Sequence, residues 1–297
     1  MVSWQPPVHR SRIGAKHLRQ EVVCQDASLS TQFQNRNGVP IKLMTVADGH
    51  GGARYWLSHI GSKLACEIAL HQAERKLTRK LLSHSAPTST ELAYWDKWLK
   101  HDLPGMIVKN WRNAIENDWD WYDKSPKREA EGFSPYIYGS TIGLVVLTPH
   151  WWGCTGLGDW DLVRIRSSTK SSPINAELIN SEDAFSTQRE STFSICKSDA
   201  VERFAERSSL KTIDRNEPPF ALVISTDGVR KSCSTDADFL TLAHYLVSEV
   251  PAPSISGECN VLDEGLDRIT TEGSGDDVSV AIGIHGLLNL ENTATTS

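Results

Sequence analysis

Ile41-Lys-Leu-Met-Thr-Val-Ala47 is a mostly apolar run that stops at Asp48-Gly49-His50-Gly51-Gly52. An apolar run closed by turn residues predicts a buried strand ending in a loop. From Ala53 to about Leu82 the apolar residues Trp56, Leu57, Ile60, Leu64, Ile68 and Ala69 recur at helical spacing, which predicts one long helix. A polar, proline-bearing break over Ser83–Ser89 separates it from a second helix, Glu91 to about Asp123, with an interruption expected at Pro104-Gly105. Tyr94, Trp95 and Trp98 fall at helical spacing in that segment, so they and Trp111, Trp119 and Trp121 are expected to pack onto a sheet.

The period then changes. Ser140–Leu147, Trp151–Gly156 and Leu162–Arg166 are short β-branched or aromatic runs divided by turns, and three neighbouring antiparallel strands fit them. Ser167–Asp199 is rich in Ser, Thr and charge and reads as an irregular excursion, followed by a short helix over Ala200–Leu210. Ala221–Ser225 is another buried strand, helices are expected over Asp236–Val250 and Val261–Thr271, and a last strand over Val278–Ile284. The stretch 289–297 reads as a flexible tail.

Composition narrows the class. With 297 residues, 39% hydrophobic and 23% charged, the chain is an ordinary folded protein rather than a disordered or fibrous one. Acidic residues number 37 against 31 basic ones, a net charge of −6 without a Lys/Arg block, so no nucleic-acid partner is expected. The start lacks an apolar run of about seven residues behind a basic head, and no later run approaches roughly 18 apolar residues, so neither a secretory leader nor a membrane span is expected. Six scattered cysteines without C-x-x-C spacing read as reduced thiols of a cytoplasmic protein.

Acidic turns carry the candidate chemistry: Gln25-Asp26, Asp48-Gly49, Gly158-Asp159, Asp227-Gly228 and Asp276-Asp277, most of them beside a predicted strand end. Hard cations such as Mg²⁺ and Mn²⁺ take oxygen ligands, and carboxylates fixed where loops converge make a suitable cage. Any single Asp-Gly is a common turn dipeptide; the joint occurrence in this order is what points to metal.

These pieces resemble the metal-dependent protein phosphatases, the type 2C Ser/Thr family. The matching segments are Val46-Ala-Asp-Gly-His-Gly-Gly52, Gly139-Ser-Thr141, Gly156-Leu-Gly-Asp159, Ile224-Ser-Thr-Asp-Gly228 and Gly275-Asp-Asp-Val-Ser-Val280. The resemblance implies an α+β fold, a four-layer α-β-β-α sandwich with two antiparallel sheets, forming a single phosphatase-like catalytic domain over residues 1–288, in which the 167–199 excursion is either the variable flap or an ordinary surface loop. It implies two Mg²⁺ or Mn²⁺ ions, with a third held more loosely, and a phosphorylated protein as substrate.

By the same resemblance Asp48 bridges two ions, the Gly49 carbonyl serves one, Asp227 and Asp276 the other, Asp159 with the Asp227 region supports the third, and Asp26 contacts metal-bound water. A pair of such ions shares a water, lowers its pKa and neutralises phosphate oxygens during in-line displacement. His50 is placed to protonate the leaving serine or threonine oxygen. Two departures stand beside this. Gln25 takes the place of a carboxylate, and Glu21 stands where the family carries a phosphate-gripping arginine, leaving Arg19, His17 and Arg12 as substitutes, with Arg19 chosen. Those departures support a competing expectation, a pseudophosphatase acting as a protein-binding regulatory module. Asp277 reads as a supporting group or a plain turn residue, and Cys24 as inert.

Overall fold

In a computed structural model of the chain, residues 3–79, 82–121, 125–167, 175–180, 193–250, 260–288 and 290 are described. The strands are β1 (Val8–Arg12), β2 (Ala27–Gln34), β3 (Pro40–Ala47), β4 (Ile142–Leu147), β5 (Trp151–Leu157), β6 (Asp161–Arg166), β7 (Asn175–Asn180), β8 (Ser209–Thr212), β9 (Phe220–Ser225) and β10 (Val278–His285). The helices are α1 (Ala15–Gln20), α2 (Ser58–Arg79), α3 (Ser89–Lys97), α4 (Leu103–Trp121), α5 (Pro126–Glu131), α6 (Ala200–Arg203), α7 (Asp227–Lys231), α8 (Asp236–Ser248) and α9 (Asn260–Glu272). Two antiparallel sheets form, in the orders β1-β10-β9-β6-β7 and β2-β3-β4-β5-β8.

Period-two alternation sets the layers, because successive side chains of a strand leave opposite faces. In β3, Ile41, Leu43 and Ala47 join α2, α3 and α4 in one core, while Met44 and Val46 turn to the other sheet. In β9, Ala221 and Val223 pack with α8 and α9, while Leu222 and Ile224 meet Met44 and Val145 between the sheets. Three apolar clusters thus hold four layers, helices, sheet, sheet and helices, and the expected α-β-β-α sandwich is observed.

Several local expectations are corrected. The first long helix starts as a 3₁₀ turn at Ala53–Tyr55, and α2 begins only at Ser58. The interruption in the second lies at Trp98–Asp102, where a π turn joins α3 to α4. Pro104 cannot donate to the preceding turn, so the widening falls just upstream of it. Trp95, Trp98, Trp111 and Trp119 are buried, but Trp121 is 87% exposed at the end of α4. The helix expected to Leu210 ends at Arg207, because Ser209–Thr212 pairs with the edge of β5.

The 167–199 excursion contains β7, which pairs with β6; its segments 168–174 and 181–192 lie outside the described residues, as do 289 and 291–297 of the tail. Among the described residues, no helix is long and apolar enough to cross a membrane, and Cys24, Cys66, Cys154, Cys196 and Cys233 are free thiols.

Candidate metal centre

The site forms at one end of the two sheets, where β3 runs into the Asp48–Gly52 loop, β5 into Gly158-Asp159 and β9 into α7. The N–H of Asp48 donates to Oγ1 of Thr141 at 2.9 Å, and the N–H of Thr141 returns a bond to the Asp48 carbonyl at 2.8 Å. Gly49 N–H donates to the Gln25 carbonyl at 3.1 Å and packs so closely that a Cβ would lie 2.6 Å from that oxygen and 2.8 Å from the Ser58 carbonyl oxygen. Only glycine fits there. Gly158, beside Asp159, has φ +91° with Thr141 against it, a left-handed conformation that glycine adopts without strain.

This scaffold brings Asp48, Asp159 and Asp227 together: one carboxylate oxygen from each lies within 4.8 Å of the others. Asp26 is buried behind them and accepts a 2.6 Å hydrogen bond from Oγ1 of Thr226. Asp276 borders the group, with Oδ2 3.5 Å from Nζ of Lys231, which also pairs with Asp227 Oδ2 at 2.6 Å. Burial, then mutual repulsion, drives Asp26, Asp48 and Asp227 well above the usual carboxylate range. For Asp48 the repelling charges are Asp26, Asp159 and Asp276; for Asp227 they are Asp48 and Asp159.

A set of hard oxygen donors that repel one another in a desolvated corner fits divalent cations, which reverse that repulsion.

His50 sits at the rim. Its N–H donates to the Gly139 carbonyl at 3.0 Å and its ring meets Tyr55 edge to face, centroids 5.1 Å apart. Burial pushes the imidazole down to about 4, against a modest pull upward from Asp159. The thiol of Cys24 is pushed up by burial and by Asp277 and Asp26, which keeps it protonated and unreactive.

Among the basic candidates for phosphate, Arg12 is committed to a bidentate pair with Asp267, both contacts at 2.6 Å. His17 Nδ1 lies 2.9 Å from Asp277 Oδ1. Arg19 is exposed on α1.

Thr141, Thr226 and Lys231 carry no role in the sequence reading, and Asp277 only that of a supporting group or a turn residue. Thr141 and Thr226 lie inside the quoted motifs, but Thr141 bonds Asp48 across the β3–β4 ladder and Thr226 reaches Asp26 at the end of the other sheet. Asp277 accepts from the N–H of Gly14 and of Gln25, each at 2.6 Å, tying the N-terminal segment to the metal corner. Lys231 was signalled by its spacing: four residues after Asp227 on a helix puts the two side chains side by side.

Residues 13–259 match the family described as protein phosphatase 2C. The chain belongs to that family. Solved structures share the fold across nearly the whole chain. The S. agalactiae serine/threonine phosphatase is 18% identical with a TM-score of 0.54, covering 94% of this chain and 98% of its own. Serine/threonine phosphatase Stp1 from Staphylococcus aureus is 14% identical with a TM-score of 0.54, covering 97% and 95%. The catalytic domain of serine threonine protein phosphatase PstP, in complex with two manganese ions, is 14% identical with a TM-score of 0.51, covering 97% and 100%. No curated protein matches this chain.

Proposed function

We propose that this chain is a Mg²⁺- or Mn²⁺-dependent phosphoprotein phosphatase that hydrolyses phosphoserine and phosphothreonine by direct attack of water. The observation that carries the reading is the convergence of Asp48, Asp159 and Asp227 in a member of the protein phosphatase 2C family. In this reading Asp48 serves both ions, the Gly49 carbonyl one and Asp227 with Asp276 the other. Asp159 and Asp227 hold a third, and Asp26 orders water beside them. The two manganese ions in the PstP structure support a site for a pair. When bound, such ions lower the pKa of coordinated water toward neutrality and offset phosphate charge during in-line displacement.

The chain's own residues do the rest. Asp26, anchored by Thr226, stays an acceptor for ordered water. His50 donates the proton that the departing serine or threonine oxygen takes up. It is neutral at pH 7 in the free protein, and a phosphate dianion placed against it favours its charged form. Arg19, exposed on α1, is our candidate for gripping phosphate from outside. Residues 1–288 act as one catalytic unit, with 167–199 as the variable flap, and free thiols support a reducing, cytoplasmic setting.

The test is phosphate release from a phosphoserine or phosphothreonine peptide by the full-length chain, with Mn²⁺, with Mg²⁺ and with chelator. Metal-dependent turnover is expected. No turnover with saturating Mn²⁺, beside tight binding of a protein partner, would favour a regulatory module instead. Preference for sugar or nucleotide phosphates would change the substrate class.

A further inference from the structure

Helix α7 begins at Asp227 and carries Lys231 one turn later, so the lysine reaches back toward the carboxylate corner. Its Nζ lies 2.6 Å from Oδ2 of Asp227 and 3.5 Å from Oδ2 of Asp276. An ordinary i,i+4 pair would stop at Asp227. Here the ammonium also bridges to a carboxylate on the loop before β10, between two groups that the reading above assigns to one ion. The nearby guanidiniums are committed elsewhere: Arg230 pairs with Asp161 at 3.1 Å and Asp236 at 2.8 Å, and Arg12 with Asp267. The side chain of Lys231 is 53% exposed, so it can leave the corner without unpacking the core.

We propose that Lys231 is a tethered counter-cation that competes with a divalent ion for Asp227 and Asp276. The inference rests on the metal-dependent reading above. When both carboxylates are ionised and the ammonium is seated, the three groups together carry one negative charge instead of two. An ion entering on this side must displace a group that the helix holds at high effective concentration. Two consequences follow. The corner keeps its carboxylates close together when metal is scarce, and ion affinity on the Asp227–Asp276 side is set below what the carboxylates alone would give.

Mn²⁺ titration by calorimetry, using the metal-free full-length wild type, Lys231→Met and Lys231→Arg, tests this without reference to turnover. Removing the charge should tighten one Mn²⁺ site about ten-fold or more, as expected for deleting a like charge beside a buried ion, while Lys231→Arg stays close to wild type. Measurable wild-type binding with equal or weaker binding by Lys231→Met overturns the role of Lys231 alone. Equal tightening in both variants also overturns it, because arginine keeps the charge. Absence of Mn²⁺ binding in all three proteins overturns this inference together with the metal-dependent reading.

Discussion

Asp48 and Thr141 exchange two hydrogen bonds: the Asp48 N–H donates to Thr141 Oγ1 at 2.9 Å and the Thr141 N–H to the Asp48 carbonyl at 2.8 Å. One residue further on, Gly49 and Ser140 form a β-bridge, and then His50 N–H donates to Gly139 at 3.0 Å. The β3–β4 ladder therefore continues past the ends of both strands and fixes the Asp-Gly-His loop. The motif Gly139-Ser-Thr141 is the partner strand of the Asp48 loop.

Thr141→Val keeps the side-chain shape and removes the acceptor for the Asp48 N–H. Leaving that buried donor unsatisfied should cost about 1–3 kcal/mol in chemical denaturation and reduce phosphate release at saturating Mn²⁺. Thr141→Ser, which keeps the hydroxyl, should retain most of both. A fully active, fully stable Thr141→Val would show that this bond does not position Asp48.

Asp48→Asn should abolish turnover and weaken Mn²⁺ binding, yet raise the melting temperature of the metal-free protein. The carboxylate is desolvated and repelled by Asp26, Asp159 and Asp276, so a neutral amide relieves a cost. Wild-type rates in this variant would remove Asp48 from the metal-ligand assignment.

Asp277→Asn addresses the anchor of the N-terminal segment. Its carboxylate, 3% exposed, accepts from Gly14 and Gln25 at 2.6 Å each. An amide supplies only one acceptor oxygen, so a loss of about 1–3 kcal/mol is expected, read as a lower denaturation midpoint at unchanged m-value.

The pH dependence follows from the raised carboxylates. Burial holds Asp161 up at about 7 in spite of Arg230, and Asp26, Asp48 and Asp227 are raised too. The folded state then binds more protons than the unfolded chain between the ordinary carboxylate range, about 4, and neutrality. That part of the stability is present below about pH 4 and lost as pH rises through the folded values. Taken by themselves, these carboxylates make the metal-free protein melt higher at pH 5 than at pH 7.5. Added Mn²⁺ should stabilise it more at pH 7.5, where its ligands are ionised. Burial lowers His50 to about 4 and also lowers His9, His59, His244 and His285, which acts in the opposite direction. The carboxylate part is therefore read by comparison with Asp48→Asn, whose metal-free form should lose less stability from pH 5 to 7.5 than the wild type. The same pH profile in both would contradict the burial of Asp48.

His50→Ala should lose more activity on phosphoserine or phosphothreonine peptides than on p-nitrophenyl phosphate, whose leaving group needs no proton. Equal losses in kcat would argue against proton donation by His50.

The apolar strands and the acidic turns that close them were legible in the sequence because their burial is written as continuous hydrophobic runs: β3, β4, β9 and β10 all appear so. The sheet edges were not. β1 reads Val-His-Arg-Ser-Arg and β2 Ala-Ser-Leu-Ser-Thr-Gln-Phe-Gln, patterns with too little apolar content to declare a strand, and their pairing comes from long-range neighbours. β7 and β8, the opposite edges of the same two sheets, are hidden in polar sequence in the same way. At the site, the carboxylates were visible as residue types. The roles of Thr226 and Asp277 depend on segments that meet only in the fold, Thr226 with Asp26 and Asp277 with Gly14 and Gln25.

The most direct measurement is anomalous diffraction at the manganese edge from a crystal of the full-length protein soaked in Mn²⁺. Two adjacent manganese peaks within coordination distance of Asp48, one of them shared with Asp227, are the predicted result. A saturated crystal without manganese at Asp48, or with ions bound only elsewhere on the surface, would contradict the account.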